Sequence, residues 1–170
     1  LLGFVTGVDV VDFLGGGIRH NLLKKKYEGN ILAAINAEIR EIMSSHLIYI
    51  NDKASVEDAL CLMYEKNVGG LPIVDEDIRI KALVTEHDFA SLVAGVITGI
   101  SVEEFMNPHV ATANIQMSIE KITKMMAQKG GFRKLPVVED SLLIGMVTAS
   151  DIMRYLGSGK AFKKVVTGDI

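Results

Sequence analysis

Apolar and polar residues follow helical and extended periods in a fixed order along this chain, and the order comes twice. Val56, Ala59, Leu60 and Met63 keep the i, i+3/i+4, i+7 spacing of a helix with one apolar face, and Ile119, Ile122 and Met126 repeat it. Ser55 and Ser118 precede these runs, each placed to cap a first turn with its hydroxyl. Before each serine lies a β-rich run, Leu47-Ile48-Tyr49-Ile50 or Val110-Ala111-Thr112-Ala113. After each helix come Leu71-Pro72-Ile73-Val74 and Leu135-Pro136-Val137-Val138, short strands whose early proline predicts an edge or a strand start. A second strand then ends in Leu83-Val84-Thr85 or Met146-Val147-Thr148, and Thr-x-x-Asp opens a further helix at Asp88 and Asp151. The predicted order is β–α–β–β–α, written twice.

The register of the repeat is tight. Met43 to Met106, Thr85 to Thr148 and Asp88 to Asp151 are each 63 residues apart, and Pro72 to Pro136 is 64. Part of a third copy opens the chain: Gly3-Phe4-Val5-Thr6-Gly7-Val8-Asp9 reproduces the strand that ends in Thr-x-x-Asp and the helix after it. This copy and the last one continue alike, through a glycine cluster and a basic stretch to Gly29-Asn30-Ile31 or Gly168-Asp169-Ile170, whereas the middle copy has no such tail. The chain therefore divides into the end of a truncated motif (1–14), a linker helix region (15–40), complete motifs at 41–95 and 101–157, and the start of a second linker (158–170). A larger repeat two motifs long fits the alternation and makes the chain an interior piece of a four-motif array. The spacing leaves open whether the two complete motifs pair with each other or with motifs outside the chain.

Composition narrows the classes. Lys+Arg number 18 against Asp+Glu 21, a net charge of −3, which argues against a general nucleic-acid surface. No apolar run reaches the ~18–20 residues of a membrane span, no secretory signal is visible, and a start at Leu1 fits a truncated chain. One cysteine, Cys61, excludes an internal disulfide and fits a reducing, cytoplasmic compartment; its apolar helical neighbours predict a packed core thiol.

Catalytic and metal readings fail on the residues. Gly157-Ser158-Gly159-Lys160-Ala161 lacks the Ser/Thr of a P-loop and follows a helix, and Gly15-Gly16-Gly17 ends a helix as C-terminal glycines do. His20, His46, His87 and His109 show no metal spacing, and no nucleophile–base constellation can be named, so no enzyme is expected.

The leading Met, Gly69-Gly70-Leu71-Pro72-Ile73-Val74-Asp75, Arg133-Lys134-Leu135-Pro136-Val137-Val138 and the Val-Thr-x-x-Asp endings together resemble the cystathionine β-synthase (CBS) domain family, over 41–95 and 101–157 fully and 1–14 partly. The tails are similar to linkers of archaeal four-motif proteins related to the γ subunit of AMP-activated protein kinase. Ala82 departs from the usual glycine before the last strand, which Gly145 keeps. The resemblance implies an α+β fold, with three-stranded sheets and helices packed in pairs as Bateman-type modules with two clefts.

The candidate chemistry follows from residue type. An ionised Asp accepts two charge-assisted hydrogen bonds from ribose hydroxyls, and a Thr hydroxyl with helix-start amides suits a phosphate. The bland alternative is a capping box, since Thr-x-x-Asp also caps a helix. By resemblance, Asp88 and Asp151 would hold ribose, aided by Thr85, Thr148 and Ser150, with Thr6 and Asp9 belonging to a third site. Adenine would slot against Ile48, Val68 and Gly69 in one copy and Ala111, Phe132 and Arg133 in the other; Arg133 and Lys134 offer cations to phosphate, and His87 could reach one too. The expectation is a regulatory, energy-sensing module without a cofactor that binds AMP, ADP or ATP. It would assemble as a homodimer or disc, with no nucleic acid or membrane partner. An S-adenosylmethionine-binding protein, or an oligomerisation module with vestigial clefts, is the alternative.

Overall fold

The computed structural model describes residues 7–14, 36–90, 99–106, 108–128 and 133–157. Most of the linker helix region, the tail after Gly157, Thr6 and Phe132 lie outside the described residues, as do the side chains of Val8, Asp9, Asp12 and Phe13. Helix α1 (Gly7–Leu14) comes first, followed by a 3-10 turn at Ile39–Glu41. The first unit comprises β1 (Ile50–Asn51), α2 (Val56–Lys66), β2 (Gly70–Val74), β3 (Ile80–Thr85) and α3 (Glu86–Ala90). A short helix, α4 (Val102–Phe105), leads to β4 (Ala113–Asn114), α5 (Ile119–Ala127), β5 (Lys134–Glu139), β6 (Leu142–Thr148) and α6 (Ala149–Gly157).

Each unit carries a three-stranded sheet, β1-β2-β3 or β4-β5-β6, with the first pair parallel and the second antiparallel. Even the irregularities repeat: the register shifts between Ile73 and Val74 and again between Val137 and Val138. The serine caps form as predicted. The Ser55 hydroxyl accepts from the Asp58 amide in a reciprocal capping box, and Ser118 accepts from the Lys121 amide. Val56, Ala59 and Met63 of α2 and Ile119, Ile122 and Met126 of α5 are the apolar residues those helices bury, and α5 buries the polar Thr123 as well. Leu71, Ile73, Leu135 and Val137 are fully enclosed, each contributing roughly 1.5–3 kcal/mol of burial.

Three expectations need correction. The β-rich runs pair only at their ends: Leu47–Tyr49 and Val110–Thr112 are irregular, and the ladders begin at Ile50 and Ala113. The proline strands are central in their sheets rather than at an edge. Because β1 starts opposite Ile73, Pro72 nonetheless has no β1 neighbour and its missing N–H costs no ladder bond. Cys61 is exposed, because it lies two residues from both Ala59 and Met63, about 200° round the helix from the buried stripe.

The two complete motifs pack on each other. Their hairpin tips join antiparallel: Ile80 donates its amide to the Ser141 carbonyl at 3.1 Å and Leu143 donates to Ile78 at 3.0 Å. The turns are shaped for this meeting. Asp140 and Ser141 have φ of 48° and 69°, the double left-handed conformation of a two-residue hairpin loop. Ile78, a β-branched residue at φ 61°, holds a conformation costing roughly 1–2 kcal/mol while its carbonyl takes the crossing bond.

The leader segments are also exchanged between the units. Ile39 donates to the Met117 carbonyl and Ile119 donates to Ala37, and Ile39 is fully buried in the second core. In the opposite sense, Val56 donates to Ile100 and Val102 donates to Ala54, with Phe105 stacked on Phe89 at 5.3 Å in the first core. Lys81 of β3 fastens this second crossing, reaching the buried Asp52 at 2.6 Å and Glu103 of α4 at 3.5 Å. Helix α1 adds Val11 and Leu14 to the second core, packing against α5 and α6.

Candidate functional site

Two equivalent corners, where β3 enters α3 and β6 enters α6, hold the Thr-x-x-Asp residues. The Thr85 amide and hydroxyl both donate to Asp88 Oδ2 at 2.7 Å. In the second unit the Thr148 amide and hydroxyl donate to Asp151 Oδ2 at 2.9 and 2.6 Å, and the Asp151 amide returns a bond to Thr148 Oγ1 at 3.2 Å. Capping therefore accounts for one oxygen of each carboxylate. The other oxygen of Asp151 accepts from Arg154 Nη1 at 2.8 Å. With the Arg154 side chain 72% exposed, that pair is weak enough for a better-placed donor to displace.

The residue before each central strand closes onto its corner. The Glu86 amide points to the Gly69 carbonyl at 3.5 Å, and the Ala149 amide donates to the Arg133 carbonyl at 3.1 Å. Val68 and Gly69 thus border the Asp88 corner, and Arg133 borders the Asp151 corner. Ile48 packs half-buried against the first core and Ala111 against the second. Ser150 is exposed in the first turn of α6, and His87 is exposed beside Asp88. Thr6 and Phe132 lie outside the described residues; Asp9 falls within α1 without a described side chain.

Between the units, the structure decides what spacing left open: Lys134 faces the Asp88 corner of the neighbouring complete motif. Its Nζ and Glu86 Oε1 each lie 2.6 Å from the point where a Cβ on Gly69 would stand, and Nζ is 3.4 Å from the matching point on Gly70. Glycine leaves open at that point the space these two charged side-chain ends share. Partial burial pushes the Lys134 ammonium below its ordinary value, and the nearby Glu86 carboxylate works against that shift. Arg133 is exposed and its carbonyl lies on its own motif's corner, so the backbone of Arg133 and the ammonium of Lys134 stand at different corners.

Glu86 belongs to this site although the repeat pattern does not single it out. The only signal in the chain is the contrast within Thr-x-x-Asp, where Glu86 and Ala149 occupy the same position in the two copies. Among the described residues no group of three or more His, Cys, Asp or Glu is placed to hold a metal ion. No described helix is long and apolar enough to cross a membrane.

Comparison with known proteins agrees with this architecture. Protein MJ1225 of Methanocaldococcus jannaschii is 35% identical over 171 residues, covering 100% of this chain, which spans only 61% of that protein's length. Its solved structure, described as that of a candidate archaeal homologue of γ-AMPK, shares the fold with a TM-score of 0.65 over 92% of this chain and 84% of that one, at 21% identity. The CBS domain pair of protein MJ0100, solved with 5′-methylthioadenosine and S-adenosyl-L-methionine, covers 72% of this chain and 97% of its own at 28% identity and TM-score 0.65. CBSX2 from Arabidopsis thaliana, solved with AMP, matches 72% of this chain and 98% of its own at 27% identity and TM-score 0.65. The CBS domain family model matches residues 39–95 and 102–158, and with that match over both repeat units the chain belongs to the CBS domain family.

Proposed function

We propose that the two complete motifs form a regulatory module that binds adenosine ligands, AMP, ADP or ATP, in the clefts at Asp88 and Asp151. One observation carries the reading: each Thr-x-x-Asp corner is bordered by its own pre-strand residue, and the Asp88 corner also receives Lys134 from the other motif. A carboxylate for ribose hydroxyls then stands beside a cation for phosphate, which is the polar complement of a nucleoside monophosphate. The ligands of the MJ0100 pair and of CBSX2, all adenosine derivatives, support the same class. Since the Asp88 cleft borders elements of both motifs, a ligand bound there biases how the motifs sit together. That supplies the differential contact between two states that regulation requires.

S-adenosylmethionine is the second ligand to test, favoured by the MJ0100 complex and by the acidic Glu86 at one cleft. An assembly role with idle clefts is favoured by the capping bonds that already engage both aspartates. Isothermal titration of the full chain with AMP, ADP, ATP and S-adenosylmethionine separates these readings. Micromolar binding of any of them supports the module as a sensor, and no heat with all four removes it. Thermal stability rises with saturating ligand in the first case and stays flat in the second. A homodimeric or disc-like assembly in the cytoplasm is the accompanying proposal.

A further inference from the structure

The two clefts differ in charge although their backbones repeat. At the Asp88 corner, Thr85 and Asp88 flank Glu86 and His87, glycines stand at 69 and 70, and Lys134 reaches in from the other motif. At the Asp151 corner, Ala149 replaces Glu86, Arg133 and Lys134 stand where the first motif has its glycines, and Gly70 stands in the position equivalent to Lys134. The Asp88 corner therefore holds an ammonium already opposed by a carboxylate, whereas the Asp151 corner has the neutral Ala149 at the Glu86 position.

We propose that Glu86 is the specificity-determining residue of the Asp88 cleft, standing across Gly69 from Lys134 and selecting adenosine ligands of low negative charge over polyphosphates. The physical basis is competition at short range. Glu86 Oε1 and Lys134 Nζ share the space above Gly69, so a ligand phosphate that takes up Lys134 must come close to the Glu86 carboxylate. A monophosphate can meet the ammonium with one anionic group. Each added phosphate brings further negative charge beside the exposed Glu86 carboxylate while only the half-buried Lys134 attracts it. A cationic sulfonium meets no such penalty. The Asp151 cleft lacks this opposition and tolerates the higher charge.

The inference rests on the adenosine reading above, and its test separates the two. Affinities for AMP and ATP are measured by calorimetry on the full chain carrying Asp151→Ala, so that the Asp88 cleft reports. Adding Glu86→Gln should raise ATP affinity roughly tenfold relative to AMP, the effect of one unit charge at close range. Lys134→Gln should move the ATP/AMP ratio the opposite way. A merely structural role for either residue weakens both ligands alike and leaves the ratio fixed. An unchanged ratio in Glu86→Gln overturns the role of Glu86 while the adenosine reading stands. Absence of binding by AMP, ATP and S-adenosylmethionine to the unmodified chain overturns both.

Discussion

Ser44 and Met146 exchange both of their backbone hydrogen bonds, at 2.9 and 3.0 Å, so the leader of the first motif runs beside the last strand of the second. Gly145 makes room for this pairing. A Cβ at that position would stand 2.9 Å from the Ser44 carbonyl oxygen and 3.0 Å from Met43 Sδ.

Gly145→Ala should therefore cost about 1–3 kcal/mol, because the obstacle includes backbone and relief requires moving the leader. Urea denaturation should show a lower midpoint. A midpoint equal to the wild type would mean that the leader is not seated on this strand.

Ser118→Ala removes the hydroxyl that accepts from the Lys121 amide at the start of α5. A loss of roughly 1 kcal/mol is expected, as for other N-caps, with ligand affinity unaffected. Thermal melting checks the first part and calorimetry the second.

Asp151→Asn keeps an oxygen able to accept from Thr148 but loses the charge that Arg154 pairs with and that the proposed ribose contact would use. The fold should lose less than about 1 kcal/mol, while adenosine ligands at this cleft weaken roughly tenfold or more. Equal weakening of fold and binding would point to capping as the residue's whole role.

Gly69→Ala tests the meeting place of the two motifs. Both atoms its methyl would meet, Glu86 Oε1 and Lys134 Nζ, are the far ends of flexible side chains. Stability should change by under roughly 1 kcal/mol, while calorimetry should show altered affinity at the Asp88 cleft.

Lys134 also supplies a pH signature. Burial lowers its folded-state pKa below the ordinary 10.5, so the folded chain binds fewer protons there than the unfolded chain. Its contribution to stability therefore rises as pH climbs from the lowered folded value to 10.5, measured as the difference from Lys134→Met. A phosphate-bearing ligand prefers the ammonium, so its affinity should fall across the same window. A flat difference in both quantities would place Lys134 in open solvent.

The serine caps, the buried stripes of α2 and α5, the paired strands after each helix and the Thr-x-x-Asp corners were all legible in the chain. Each depends on contacts within a few residues or on a period of 3.6 or 2, which local order records. Cys61 was misplaced because its apolar neighbours outweighed its angle around the helix. The strand starts slipped to Ile50 and Ala113 because the length of a parallel pairing is set by its partner, not by the run's own residues.

Local order along the chain is enough to specify a repeated β–α–β–β–α unit with an acidic corner on each copy. That the two complete motifs embrace, exchange their leader segments and bring Lys134 over Gly69 near Glu86 follows from packing between the units. Residues 65 positions apart in the chain carry no local mark of meeting. Their contact arises when two hairpin tips satisfy each other's backbone groups and two cores close over borrowed side chains, Ile39 in one and Phe105 in the other.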